Sequence, residues 1–92
     1  MKLLRVVRST NPNKKWDAIF DDGTRTPFGA SGMDDYTITH DKEQRDRYRK
    51  RHEKDLTTND PTAAGYLAMN ILWGDSTSMN ENIRQYKRKY NL

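Results

Sequence analysis

The stretch "KWDAIFDDGTRTPF", residues 15–28, constrains the fold of this chain more than any other. Its first half alternates, with Trp16, Ala18 and Phe20 on one face of a strand and Asp17 and Ile19 on the other. Asp22-Gly23 follows, a pair that tolerates positive φ and therefore closes hairpins. "RTPF" then returns as the partner strand, and Pro27 confines that strand to a sheet edge or to its own end. Upstream, "LLRVV" (3–7) has the β-branched character of a short strand, and "STNPN" (9–13) is a turn cluster. The reading is an antiparallel meander over about residues 2–28, with residues 1–13 as a less tightly packed N-terminal extension.

Helix signals take over after a glycine-bearing connection, "GASGMDDYTITH" (29–40), in which "YTIT" reads as a short extended piece. Asp41 with Gln44 occupies the capping-box positions of a helix over about 41–54. "TTND" (57–60) breaks it, and Asp60-Pro61 opens the next, an N-cap acid followed by proline at the first helical position. That helix, about 61–73, is apolar nearly all round, as a central buried helix should be, and Gly74 ends it. Ser78 with Glu81 starts a third helix over about 78–90. There Met79, Ile83, Tyr86 and Tyr90 fall on a stripe about 60° wide at 100° per residue. The expectation is a single α+β domain over 1–92, a small meander followed by three helices. Its core is drawn from Trp16, Phe20, Phe28, Tyr48, Leu67, Ile71, Leu72, Trp73, Met79, Ile83, Tyr86 and Tyr90.

Apolar side chains are scarce: Leu, Ile, Val and Phe are 14 of 92 residues, a proportion at which disorder competes with folding. Nine aromatic residues and clear turn and cap punctuation argue for a folded but marginal domain. Cysteine is absent, which removes disulfides and thiolate metal sites. "MKLLRVVRS" has too short an apolar run to read as a signal peptide, and "AAGYLAMNILW" is about half of what a bilayer crossing needs. A soluble protein is expected, with no membrane span.

Seventeen basic residues against thirteen acidic give a net charge of +4. Residues 31–60 hold seven basic and eight acidic groups, so the segment that looks most cationic, "KEQRDRYRKRHEK" (42–54), is offset by its own neighbours. On a helix, Asp41 reaches Arg45, Glu43 reaches Arg47 and Asp46 reaches Lys50; Arg49–Glu53 and Arg51–Asp55 pair in the less favourable order. This predicts a solvated, salt-laced helix anchored by Tyr48, with His52 and Leu56. The uncompensated charge lies elsewhere, in Arg5, Arg8, Lys14 and Lys15 near the first turn and in Arg84, Lys87, Arg88 and Lys89 at the end of the chain. Those residues are the candidate contacts for a partner or for phosphates. At a helix C-terminus the second cluster also has a purely structural use, complementing the macrodipole.

No catalytic constellation is present. His40 and His52 have no ligand-type spacing to a carboxylate, so no metal or other cofactor is expected. Asp21-Asp22 and Asp34-Asp35 read as turn residues rather than as an acid and a base. "FGASG" lacks the Lys-Ser/Thr that would make a phosphate cradle. Trp16, Phe20, Phe28 and Tyr36 could form a stacking platform for bases, but a core packed by the 61–73 helix uses the same side chains. The chain is therefore read as a non-enzyme without a small-molecule substrate.

The blocks "FG…DYTIT", "AGYL…ILWGDS" and "NI..YK.K.NL", taken with "QRDRYRKRH", resemble a family of small uncharacterised proteins encoded by large (nucleocytoplasmic) DNA viruses of algae and protists. The resemblance spans about residues 14–92. It implies a viral origin and a compact α+β domain, and it implies no activity. Combined with the thin core and the tyrosine- and arginine-rich surface, it gives the expectation of a minor virion component. Such a protein would bridge larger capsid subunits and reside in the virion, and in host cytoplasm during assembly. The alternative is a small basic nucleic-acid-binding protein that uses the same cationic clusters.

Overall fold

A computed structural model describes residues 1–58 and 60–92, with only the backbone course at Asp55 and Thr58. Three antiparallel strands, β1 (Leu3–Arg8), β2 (Lys14–Phe20) and β3 (Arg25–Ala30), pair in the order β1-β2-β3. Helices follow: α1 (Tyr36–Thr39), α2 (Lys42–His52), a 3₁₀ segment (Glu53–Thr58), α3 (Ala64–Leu67) continuing as a π-helical turn (Ala68–Leu72), and α4 (Met79–Tyr90). The architecture is α+β, with four α-helical pieces where the sequence suggested three. Among the described residues, no helix is long and apolar enough to cross a membrane.

The β2–β3 turn forms where expected but by a different device. Only Gly23 takes positive φ, at 89°. Asp22 instead uses its carboxylate to accept a hydrogen bond from the Thr24 amide at 2.9 Å, while the Phe20 amide donates to the Thr24 carbonyl at 2.9 Å. Pro27 lies in β3, an edge strand, where its missing donor is tolerated. The alternation of β2 carries through: Ala18 and Phe20 are buried and Trp16 packs against the same core. The N-terminal strand is no loose extension. It is laddered to β2 from Leu3 to Arg8, with a bulge between Leu3 and Arg5, and Leu3 is fully buried.

"YTIT" is a helical turn, α1, not an extended piece. Asp35 decides this: its side chain accepts from the Thr37 amide at 2.9 Å and from the Thr37 hydroxyl, which fixes an N-cap. Burial of Tyr36 holds the turn against the core. Asp41 caps α2 by accepting from the Glu43 and Gln44 amides. The reciprocal arm is absent, since the Gln44 side chain accepts from the Thr39 hydroxyl at 2.9 Å.

The central helix begins three residues later than Asp60-Pro61 predicted. Asp60 accepts from both the amide and the hydroxyl of Thr62, and the Ala63 amide returns to the Asp60 carbonyl. The carboxylate thus closes a turn before the helix rather than capping it. The "TTND" break reaches Asn59, which lies outside the described residues. Beyond Leu67 the helix widens, the Trp73 amide bonding to the Ala68 carbonyl five residues back. Leu67 and Ile71 are fully buried, with Leu72 close to it.

Gly74 ends the helix through close packing, not through a left-handed cap. A Cβ there would collide with the Asn70 carbonyl oxygen and would sit 2.6 Å from Cγ of Asn82. Asn82, 1% exposed, occupies that space to tie α4 to the loop before it. Its amide donates to the carbonyls of Ile71 (2.9 Å) and Ser76 (2.7 Å), and its oxygen accepts from the Ser76 amide. Met79, Ile83, Tyr86 and Tyr90 line the inner face of α4 as the stripe predicted. Ser78 accepts from the Glu81 amide, completing one arm of its capping box.

Two substitutions test this core. Leu67→Ala should cost about 2–5 kcal/mol, because buried side-chain volume is replaced by a void. Asn82→Ala should cost at least about 2 kcal/mol, since buried backbone groups of residues 71 and 76 lose their partners. Chemical denaturation of the two variants against the parent chain reads both values; a loss below about 0.5 kcal/mol for Leu67→Ala would show that α3 is not central.

Candidate interaction surfaces

The side chains of α2 divide into two faces. Arg45 and Arg49, one turn apart, point to the loop after the π turn. Arg45 is 8% exposed; its guanidinium lies 4.9 Å from the Tyr36 ring centroid and contacts the Gly74 and Asp75 carbonyls at 3.5 Å. Arg49 donates from Nε to the Trp73 carbonyl at 2.7 Å and from Nη2 to the Asp75 carboxylate at 2.9 Å. The neighbouring guanidinium holds the Asp75 carboxyl below its ordinary range, first through that hydrogen bond and then through the charges of Arg49, Arg45 and Lys89.

This arrangement corrects the salt-laced helix. Among the described residues no ion pair joins Asp41–Arg45, Glu43–Arg47, Asp46–Lys50 or Arg49–Glu53; Arg45 meets adjacent Asp46 instead, at 3.0 Å. The Arg51–Asp55 pairing lies outside the described side chains. Backbone carbonyls left over at the end of the π turn, together with the carboxylates of Asp46 and Asp75, take the guanidinia in place of the acids one helical turn away.

The second face carries Gln44, Arg47, Tyr48 and Arg51, within about 100° of arc. They line an open cleft of about 630 Å³, whose other walls come from Lys15, the Ala30–Asp35 connection and Ala68, Leu72 and Trp73. Three rings stack along it. Tyr48 lies between His52 and Trp73, with centroid separations of 4.2 and 4.3 Å and interplanar angles of 24° and 10°. Arg47 and Arg51 are exposed and have no acidic partner among the described residues.

The cationic residues singled out from sequence fall into different situations. Arg5 and Arg8 are exposed on β1, an edge strand. Lys14 is half-buried. Lys15 is removed from the candidate contacts: its Nζ is 2.7 Å from the carboxylate of Asp35, a residue only 2% exposed, and the pair pins the connection to the sheet. Arg84 is exposed but paired with Glu81, whose carboxyl it holds below the ordinary range, chiefly through their hydrogen bond. Arg88 and Lys89 are exposed and Lys87 half-buried on the last turns of α4, with the Lys89 ammonium 5.3 Å from the Tyr90 ring centroid. The β1 and α4 cations therefore form two patches on elements without extensive mutual packing.

Sequence spacing missed four functional or structural polar residues. Arg47 has Glu43 at helical spacing, and no local signal shows that this pair does not form, while the Arg51–Asp55 pairing lies outside the described side chains. Asp17, 1% exposed, accepts from the Ser9 hydroxyl at 2.6 Å and faces Arg25 at 3.3 Å. Asp35 reads as a turn acid until its cap and its lysine are seen together. Asp22 does serve a turn, accepting from the Thr24 amide, whereas the Asp21 carboxylate accepts from the Lys2 amide 19 residues away and ties the start of the chain to the end of β2. Among the described residues no three His, Cys, Asp or Glu side chains gather where they could hold a metal ion.

The fold defines a small α+β protein. A family model described as "Family of unknown function (DUF5754)" matches residues 4–52, just over half of the 92-residue chain, and the chain belongs to that family. The matched span comprises β1 from Leu4 onward, β2, β3, α1 and α2. No curated protein and no solved structure matches the chain.

The Arg49–Asp75 contact gives a pH prediction. A carboxyl depressed in the folded state adds stability that is present above its unfolded pKa, about 3.9, and is lost as pH falls through the lower folded value. Denaturation midpoints taken between pH 6 and pH 2 should fall more steeply for the parent than for Asp75→Asn. Identical slopes would show that the pair is not formed in solution.

Proposed function

We propose that this protein is a non-catalytic interaction protein, a minor component of a virus particle that bridges larger subunits through its exposed cations. The observation that carries the reading is the contrast between two sets of basic residues. Lys15, Arg45 and Arg49 are held by internal partners, whereas Arg5, Arg8, Lys87 and Arg88 reach solvent with no acidic partner among the described residues. Arginine beside tyrosine is the composition that protein interfaces favour, and the exposed side chains of Leu4, Met33 and Ile38 add apolar contact area. The virion setting rests on the resemblance of the "FG…DYTIT", "AGYL…ILWGDS" and "NI..YK.K.NL" blocks to proteins of large DNA viruses. Larger capsid proteins with acidic patches are the partners this chemistry fits.

A second reading, binding of nucleic acid through the same cations, is favoured by one specific observation. Arg47 and Arg51 on α2 are not neutralised by an acid among the described residues, so the cationic surface is larger than the sequence suggested. Counterion release separates the two readings. The structural role predicts stoichiometric recovery of the chain from purified particles. It also predicts loss of that recovery in a variant with Arg5, Arg8, Lys87 and Arg88 changed to Gln. Polynucleotide affinity should then be weak near physiological salt. A log–log salt slope steeper than about −3, with no retention in particles, would establish the second reading in its place.

A further inference from the structure

The cleft between α2 and the Ala30–Asp35 connection sets beside Arg47 and Arg51 features that neither reading above uses. Its volume of about 630 Å³ lies in the range of sites for small organic ligands, roughly 300–1,000 Å³. One wall is a run of three stacked aromatic rings, His52, Tyr48 and Trp73, backed by the apolar side chains of Ala68 and Leu72. Arg47 and Arg51, neighbours at i and i+4 on α2, line the same opening. The carboxylates there are Asp35, already engaged by Lys15 and Thr37, and Asp34 on the connection wall.

Because Tyr48 is covered on both faces by His52 and Trp73, the stack turns ring edges to the cleft, and an edge-on aromatic wall beside two guanidinia matches a ligand with a planar heteroaromatic part and an anionic part a few ångströms away. Guanidinium forks bind phosphate oxygens, and aromatic ring edges pack against the face of any base. We propose that this cleft binds a nucleotide, its base against the His52–Tyr48–Trp73 stack and its phosphate between Arg47 and Arg51. The assignment rests on the cleft residues alone and is independent of the β1 and α4 cations, so either proposal can fail while the other stands.

The test is calorimetric titration of the full chain, at physiological salt, with adenosine monophosphate, inorganic phosphate and a short single-stranded oligonucleotide. Adenosine monophosphate should bind about tenfold more tightly than inorganic phosphate, the margin expected from an edge-to-face aromatic contact. Tighter binding of the oligonucleotide identifies a nucleotide within a strand; equal or weaker binding identifies a free one. The double variant Arg47→Gln with Arg51→Gln, at exposed positions, should lose at least about tenfold in affinity. Arg5→Gln with Arg8→Gln should leave it within about twofold. Tyr48→Phe should retain binding, whereas Tyr48→Leu should reduce it. Failure of the mononucleotide to bind better than inorganic phosphate would overturn the proposal. So would an affinity that the Arg47 and Arg51 changes leave intact.

Discussion

Two arginines hold the helical half of this protein together. α2 has too few apolar residues to dock by hydrophobic burial, so its attachment falls to Arg45 and Arg49, which reach the carbonyls of Trp73, Gly74 and Asp75. These carbonyls belong to a loop that a regular helix end would leave to water or to a glycine cap. The guanidinia supply the missing donors. The Tyr48–Trp73 stack then forms because the loop is fixed where Tyr48 can reach it. The cleft owes its shape to the same contact.

Asn82 plays the matching part from α4, closing the Ile71 and Ser76 backbone groups from the other side. Asp35 and Lys15 do so for the connection leaving the sheet. The interior thus contains a carboxylate at Asp17, another at Asp35, a guanidinium at Arg45 and an amide at Asn82. Among the described residues no buried side-chain polar atom lacks a hydrogen-bond partner. A chain with so few aliphatic residues stays ordered by joining short elements through satisfied polar contacts. Leaving any of them half-made would be more destabilising than the contact is stabilising.

The meander, the Asp-Gly turn, the caps at Asp41 and Ser78 and the inner stripe of α4 could be read from the sequence, since each rests on contacts within a few residues. Long-range competition was out of its reach. Arg45 and Arg49 have acids at helical spacing, and only the tertiary fold shows that carbonyls 24 to 30 residues away displace them. Lys15 looked like free charge for the same reason, its partner lying 20 residues on. The late start of α3 follows from Thr62, whose amide and hydroxyl both bond to Asp60. Of the cleft, the aromatic members were visible as core candidates; their stacking beside Arg47 and Arg51 was not.

The widened turn at Ala68–Leu72 has a geometric consequence for the rest of the chain. Each residue added to or removed from a helix rotates the downstream segment by about 100°. Absorbing one residue in a π turn sets the azimuth at which Trp73 leaves the helix, and hence which neighbour its indole meets. Deleting a residue from this turn would restore a regular helix while swinging the indole away from the phenol of Tyr48. The irregularity acts as an indexing step, aligning two elements whose sequences never touch.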